Sequence, residues 1–138
     1  MLVLAACSAH TRTPDTFVRM QRGGCLGWCQ VYTLTLYADG AVQYRGSANV
    51  PKGTRWATVA PEDVARLMET VERVPRWHCD ASRFTYDVPG GATITVSRDG
   101  RETQRIEPDP GDPCTPDAAR ELEIHIDVVG HAGDFIDR

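Results

Sequence analysis

The chain has 138 residues, of which 41% are hydrophobic and 25% charged, and its formal net charge is −4. That length fits one domain and that composition an ordinary globular protein. The mildly acidic balance lacks the basic face that nucleic-acid binding needs, so no nucleic-acid partner is expected, and no stretch approaches the roughly 20 apolar residues of a spanning helix.

At the start, the apolar run Met1 to Ala6 ends in Leu4-Ala5-Ala6-Cys7. This tetrad resembles a bacterial lipobox, in which a signal peptidase cuts before a cysteine that carries lipid. No basic segment precedes it and the run is short, so residues 1–16 are expected to be a signal-peptide remnant followed by a polar tether, Ser8 to Thr16. Residues 17–138 then form a single domain. Setting Cys7 aside as the lipidation site leaves Cys25, Cys29, Cys79 and Cys114, an even set in an exported chain. Disulfides persist in such compartments, and four cysteines allow three connectivities. The expected pairing is Cys25–Cys29, because Gly27 permits a tight turn between them, with Cys79–Cys114 left by elimination.

Phe17 to Arg22 alternates as a first strand with Val18 and Met20 on one face, and Gly23-Gly24 breaks it. After the cysteine turn, Tyr32, Leu34 and Leu36 point one way while Thr33, Thr35 and Tyr37 point the other, a half-buried strand. Asp39-Gly40 predicts a type I′ hairpin turn, and Ala41 to Arg45 returns with Val42 and Tyr44 on the core side. A looser stretch through Pro51 and Gly53 leads to a strand over Arg55 to Val59. Pro61-Glu62-Asp63 opens a helix whose Val64, Leu67, Met68, Val71 and Val74 form one apolar stripe before Pro75. Ala60 is a poor cap for it.

Residues 76–91 read as irregular and hold Trp77, His78, Cys79, Asp87 and Pro89. Ala92 to Ser97 is a strand, Asp99-Gly100 a second hairpin turn, and Glu102 to Ile106 its return. After the proline-rich loop 108–113, Thr115 is the expected cap of a second helix with Pro116 at its first position. Ala119, Leu122, Ile126 and Val129 make its inner face, and Gly130 ends it. The order predicts an α+β fold: a mostly antiparallel sheet of five or six strands with two helices packed on one face.

At Cys25-Leu26-Gly27-Trp28-Cys29-Gln30-Val31-Tyr32 the chain resembles a bacterial family of exported domains of unknown function. The family's mark is Cys-x-Gly-x-Cys-Pro-x-Tyr followed by an Asp-Gly hairpin. Cys25, Gly27, Cys29 and Tyr32 match it, whereas Gln30 stands where the family has proline. The likeness continues through Asp39-Gly40, Tyr44-x-Gly46, the Pro61-Glu62-Asp63-Val64 helix opening and Asp87-x-Pro89, and spans Phe17 to Ile136. It implies the fold and export, and no activity.

The chemistry-bearing residues weigh toward structure. Redox dithiols favour Cys-x-x-Cys at a helix start, whereas Cys25 and Cys29 have three intervening residues and lead into a strand. Cys25, Cys29, His78 and Cys79 contain the donor types of a zinc site, yet the second two are adjacent in sequence and seldom reach one metal together. Neither G-x-S-x-G nor H-E-x-x-H occurs. His125 reads as a surface residue, His10 and His131 fall in a tether and a tail, and Asp80 and Asp87 fit local turn hydrogen bonds. No catalytic residue, metal or cofactor is therefore expected. Among the loop aromatics (Trp28, Tyr32, Trp56, Trp77, Phe84 and Tyr86), Trp28 and Trp77, together with Asp87, are the candidate binding residues. The expected protein is a lipid-anchored module of the bacterial cell envelope that binds an envelope protein or small ligand without catalysis. An enzyme or metal site in the Cys/His/Asp loop region is the alternative.

Overall fold

The structure is a computed structural model, and it describes residues 15–25, 27–77, 91–108 and 114–137. Its elements are β1 (Phe17–Arg22), β2 (Val31–Tyr37), β3 (Ala41–Ala48), β4 (Gly53–Thr58), α1 (Pro61–Glu72), β5 (Ala92–Arg98), β6 (Arg101–Ile106), α2 (Asp117–Val129) and α3 (Ala132–Ile136). The strands form one six-stranded sheet in the order β4-β3-β2-β1-β5-β6. Every neighbouring pair is antiparallel. The α+β expectation holds, with six strands and a short third helix that the sequence pattern did not suggest.

Strand parity decides which face is covered. Val18 and Met20 of β1, Tyr32, Leu34 and Leu36 of β2, Val42 and Tyr44 of β3, and Ala92, Ile94 and Val96 of β5 are all buried. They meet Val64, Leu67, Met68 and Val71 of α1 and Ala119, Leu122 and Ile126 of α2 in one core. Pleating sends alternate residues to opposite faces, so the helices need only one parity from each strand. Val74 is buried just beyond the last turn of α1, completing the predicted stripe. Among the described residues no helix is long and apolar enough to cross a membrane.

The two hairpin turns differ. Asp99 and Gly100 have φ of 51° and 80°, so the β5–β6 loop is the expected two-residue turn with both central residues left-handed. At the β2–β3 connection only Gly40 is left-handed, with φ of 90°, and the loop runs over Ala38, Asp39 and Gly40. The type I′ expectation there is corrected. The Gly40 N–H donates to the Tyr37 carbonyl at 2.9 Å, and the Asp39 carboxylate accepts from the Ala41 N–H at 2.9 Å. This is the three-residue loop whose last position favours glycine. A Cβ at Gly40 would collide with the carbonyl of Val59, the residue after β4, whose N–H donates to the Gly40 carbonyl at 2.7 Å.

The second helix also starts differently from the expectation. Pro116, not Thr115, holds the N-cap position, and its carbonyl accepts from the Ala119 and Arg120 amides. At the far end His131 is left-handed, with φ of 53°, and turns the chain into α3. There Phe135 stacks on Tyr44 with ring centroids 5.0 Å apart. That contact closes the core beneath β3.

Candidate functional site

The connection from β1 to β2 is the feature that departs most from a plain hairpin. Cys25 and Cys29 are joined by a disulfide with their Cα atoms 5.7 Å apart, as the sequence predicts. Gly27 has φ of 126°, a conformation that a side chain strains, so glycine is what lets the short loop close. Trp28 is carried outward on this loop and is 89% exposed. Asn49, itself left-handed at the β3–β4 corner, donates from Nδ2 to the Cys29 carbonyl at 2.9 Å and tethers the loop from the side.

Beneath the loop lies a polar cluster that draws on three elements. Arg22 ends β1 and Tyr32 is near the start of β2, so these two residues bracket the loop. Arg22 Nε donates to the Tyr32 hydroxyl at 2.9 Å. The Tyr32 hydroxyl donates to Asp127 Oδ1 at 2.7 Å, while an Arg22 terminal nitrogen meets Asp127 Oδ2 at 2.6 Å. The other terminal nitrogen lies 3.4 Å from Glu123 Oε2. Asp127 and Glu123 are four residues apart on α2, one turn of the same face. The loop's two ends are thus clamped to the helix by one carboxylate that serves both of them.

The electrostatics follow from this geometry. Burial works against the Arg22 charge, but the hydrogen bond and attraction of Asp127 outweigh it and hold the guanidinium protonated well above its ordinary range. Burial pushes the Tyr32 phenol up, and the Asp127 carboxylate that accepts its proton pushes it further, so Tyr32 stays neutral and donates. Glu123 is also pushed up, first by burial and against the pull of Arg22. Its Oε1 is buried and makes no well-formed hydrogen bond among the described residues, the Ala92 backbone being the weakest of the groups that favour its charge. Asp127 is the satisfied acid of the pair and Glu123 the costly one.

The candidate binding residues separate. Trp28 projects from the disulfide loop, whereas Trp77 is half-buried and packs against the core, which makes it a plug for the end of α1. Asp87, like Cys7, His10, His78, Cys79, Asp80, Phe84 and Tyr86, lies outside the described residues. Cys114 is disulfide-bonded, and Cys79, its expected partner, is outside the described residues. With Cys25 and Cys29 bonded to each other, neither sulfur is a thiolate in this state, and a zinc ligand must be one. His125 is exposed on α2, and His131 lies 4.0 Å from Asp134.

Arg22, Glu123 and Asp127 were not among the candidates. Tyr32, 2% exposed, is expected from the sequence as an inward strand residue and a motif match, not as a hydrogen-bonding member of a polar cluster. A signal existed. Arg22 continues the parity of Val18 and Met20, so a charged side chain falls on the core-facing side of β1 and needs a partner there. Glu123 and Asp127 come directly after the inner-face residues Leu122 and Ile126 and stand four apart, so both carboxylates border the inner face of α2 and supply that partner.

A family model described as a domain of unknown function (DUF6438) matches residues 16–129. No curated protein and no solved structure is significantly similar to the chain. The matched span runs from the residue before β1 to the end of α2, so it takes in the whole sheet, the disulfide loop and both halves of its clamp. The chain belongs to this DUF6438 family.

Proposed function

We propose that the protein is a non-enzymatic binding module of the bacterial cell envelope, held to a membrane through lipid on Cys7, and that its contact residue is Trp28. The observation that carries the binding reading is the pairing of exposure with restraint. A tryptophan 89% exposed sits on a turn closed by a disulfide and clamped at both ends. An aromatic anchor whose backbone is already held loses less entropy when a partner covers it than one on a free loop, which favours a binding hot spot. Nothing in the cluster below is arranged for turnover: Tyr32 is held neutral, Arg22 is held charged, and Asp127 is saturated by both.

The test places a photo-crosslinking residue at position 28 in the full chain in living bacteria, with the same residue at exposed Glu121 as the comparison. The expected result is a discrete adduct from position 28 and none from position 121. Equal labelling at both positions would overturn the assignment. The anchor is tested separately by metabolic labelling with a fatty-acid analogue, which should mark the chain and not its Cys7→Ser form, because stable attachment takes acyl chains.

A further inference from the structure

The Cys25–Cys29 bond sits where a reagent can reach it. Both cysteines are half-exposed, and Gly24, Gly27, Trp28 and Gln30 around them are exposed. The bond spans a sequence separation of only four, so it removes little chain entropy from the unfolded state. Exposed bonds are the ones that thiols open and re-form, whereas structural bonds resist them.

The sheet has other means of holding the ends of this loop. Arg22 and Tyr32 are tied to Asp127, the Gly23 N–H donates to the Gly91 carbonyl at 3.0 Å, and Val31 pairs with Ala48 of β3. The Cys29 carbonyl keeps its own hydrogen bond from Asn49. Between those anchors the disulfide is the covalent restraint. Opening it leaves Cys29 where Asn49 holds it and frees Cys25 on the Gly23-Gly24 side, which widens the turn that carries Trp28.

From this we infer that Cys25–Cys29 is a thiol–disulfide exchange site, opened by an exported dithiol protein and re-formed by a disulfide oxidant, and that its state controls the presentation of Trp28. The control of presentation rests on the assignment of Trp28 as the contact residue. The chain is the substrate of this exchange and not its catalyst, because neither cysteine stands at a helix N-terminus, where the dipole activates a thiol. In the first step a thiolate of the dithiol attacks one of the two sulfurs. A mixed disulfide forms, and the other sulfur leaves as a thiolate and takes up a proton. The second thiolate of the dithiol then attacks its own half of the mixed disulfide and expels the remaining cysteine, which is protonated in turn. Two electrons and two protons thus pass to Cys25 and Cys29 while the dithiol becomes a disulfide, and an oxidant disulfide runs the same steps backwards.

The exchange is tested on the full chain with dithiothreitol in native buffer, followed by alkylation and peptide mapping. Cys25 and Cys29 should be labelled while far-ultraviolet circular dichroism stays unchanged, and oxidised glutathione should restore the bond. In the chain with Trp56 and Trp77 replaced by phenylalanine, reduction should add a fast component to the Trp28 anisotropy decay, and reoxidation should remove it. With a photo-crosslinking residue at position 28 in living bacteria, serine at both cysteines should lower the adduct yield about tenfold at equal chain abundance. Labelling that appears only as the chain unfolds in denaturant overturns the inference, as does Trp28 motion that is the same in the oxidised and reduced chains. An adduct yield indifferent to the serine pair also overturns it and leaves the Trp28 assignment standing. No adduct from either chain overturns the Trp28 assignment, and alkylation and anisotropy then decide the exchange by themselves.

Discussion

Beneath α1 the centre of the sheet is met by the apolar side chains of one helix stripe, and beneath the end of α2 the same sheet is met by an arginine, a tyrosine and two acids. The first contact is an interlocking of Val64, Leu67, Met68 and Val71 with β1, β2 and β5, all essentially without solvent exposure. It is tolerant in direction, because apolar contacts have none. The second is directional. Asp127 fixes Arg22 and Tyr32 at once, and it is these two residues that define where the Cys25–Cys29 turn leaves the sheet. The apolar layer supplies stability; the polar clamp sets position, at the cost of a buried Glu123 oxygen with no partner among the described residues.

This contrast has measurable consequences. Leu67→Ala should cost about 2–5 kcal/mol by chemical denaturation, as a fully buried leucine does. Asp127→Ala should cost roughly 2–3 kcal/mol, below the range for a fully buried pair because solvent reaches this one, and it leaves Arg22 with only the Tyr32 hydroxyl and the longer Glu123 contact. Removing the Cys25–Cys29 bridge with serine at both positions should cost about 2 kcal/mol on the chain-entropy model, the loop being so short. If Asp127→Ala proved harmless while Leu67→Ala did not, the clamp would have no energetic role.

The two acids with shifted carboxyls respond oppositely to pH. Glu72 is held below its ordinary range by the Arg98 hydrogen bond, so its contribution is present above the unfolded carboxyl pKa and is lost as pH falls through the lowered folded one. Glu123 is raised by burial, so its ionisation weakens the fold at neutral pH, and that penalty is relieved as pH falls through the raised folded value. Glu123→Gln should therefore melt at or above the wild-type temperature at pH 7, with the two converging in acid. A variant melting well below wild type at pH 7 would mean that the Arg22 contact outweighs the burial. The smallest effect is expected on the surface: Glu69→Ala, which loses only an exposed pairing with Arg73, should shift stability by under about 0.5 kcal/mol.

Legibility in the sequence followed the same division. The α1 stripe, the strand parities and the Asp99-Gly100 turn are local patterns, and each is found where the periodicity or turn chemistry places it. Asp39-Gly40 has the same dipeptide and a different loop, because the Val59 carbonyl of the β4–α1 connection packs against Gly40, a constraint from a distant segment. Thr115 failed as a cap for a smaller reason: α2 begins one residue later, with Pro116 in that place. The clamp joins residues 95 and 105 positions apart, and no local window contains both halves. What was visible was its incompleteness, an arginine on the core-facing parity of β1. The α3 helix is five residues long, too short for a period to emerge, and only its Phe135–Tyr44 stack shows why it forms.

The most direct test of the clamp is the motion of Trp28 itself. With Trp56 and Trp77 replaced by phenylalanine, Trp28 is the remaining tryptophan, and its time-resolved fluorescence anisotropy reports the loop alone. The clamp predicts that Trp28 tumbles with the whole domain, and that Asp127→Ala adds a fast local component while far-ultraviolet circular dichroism stays unchanged. The same anisotropy decay with and without the Asp127 carboxylate would contradict the claim that this cluster holds the turn in place.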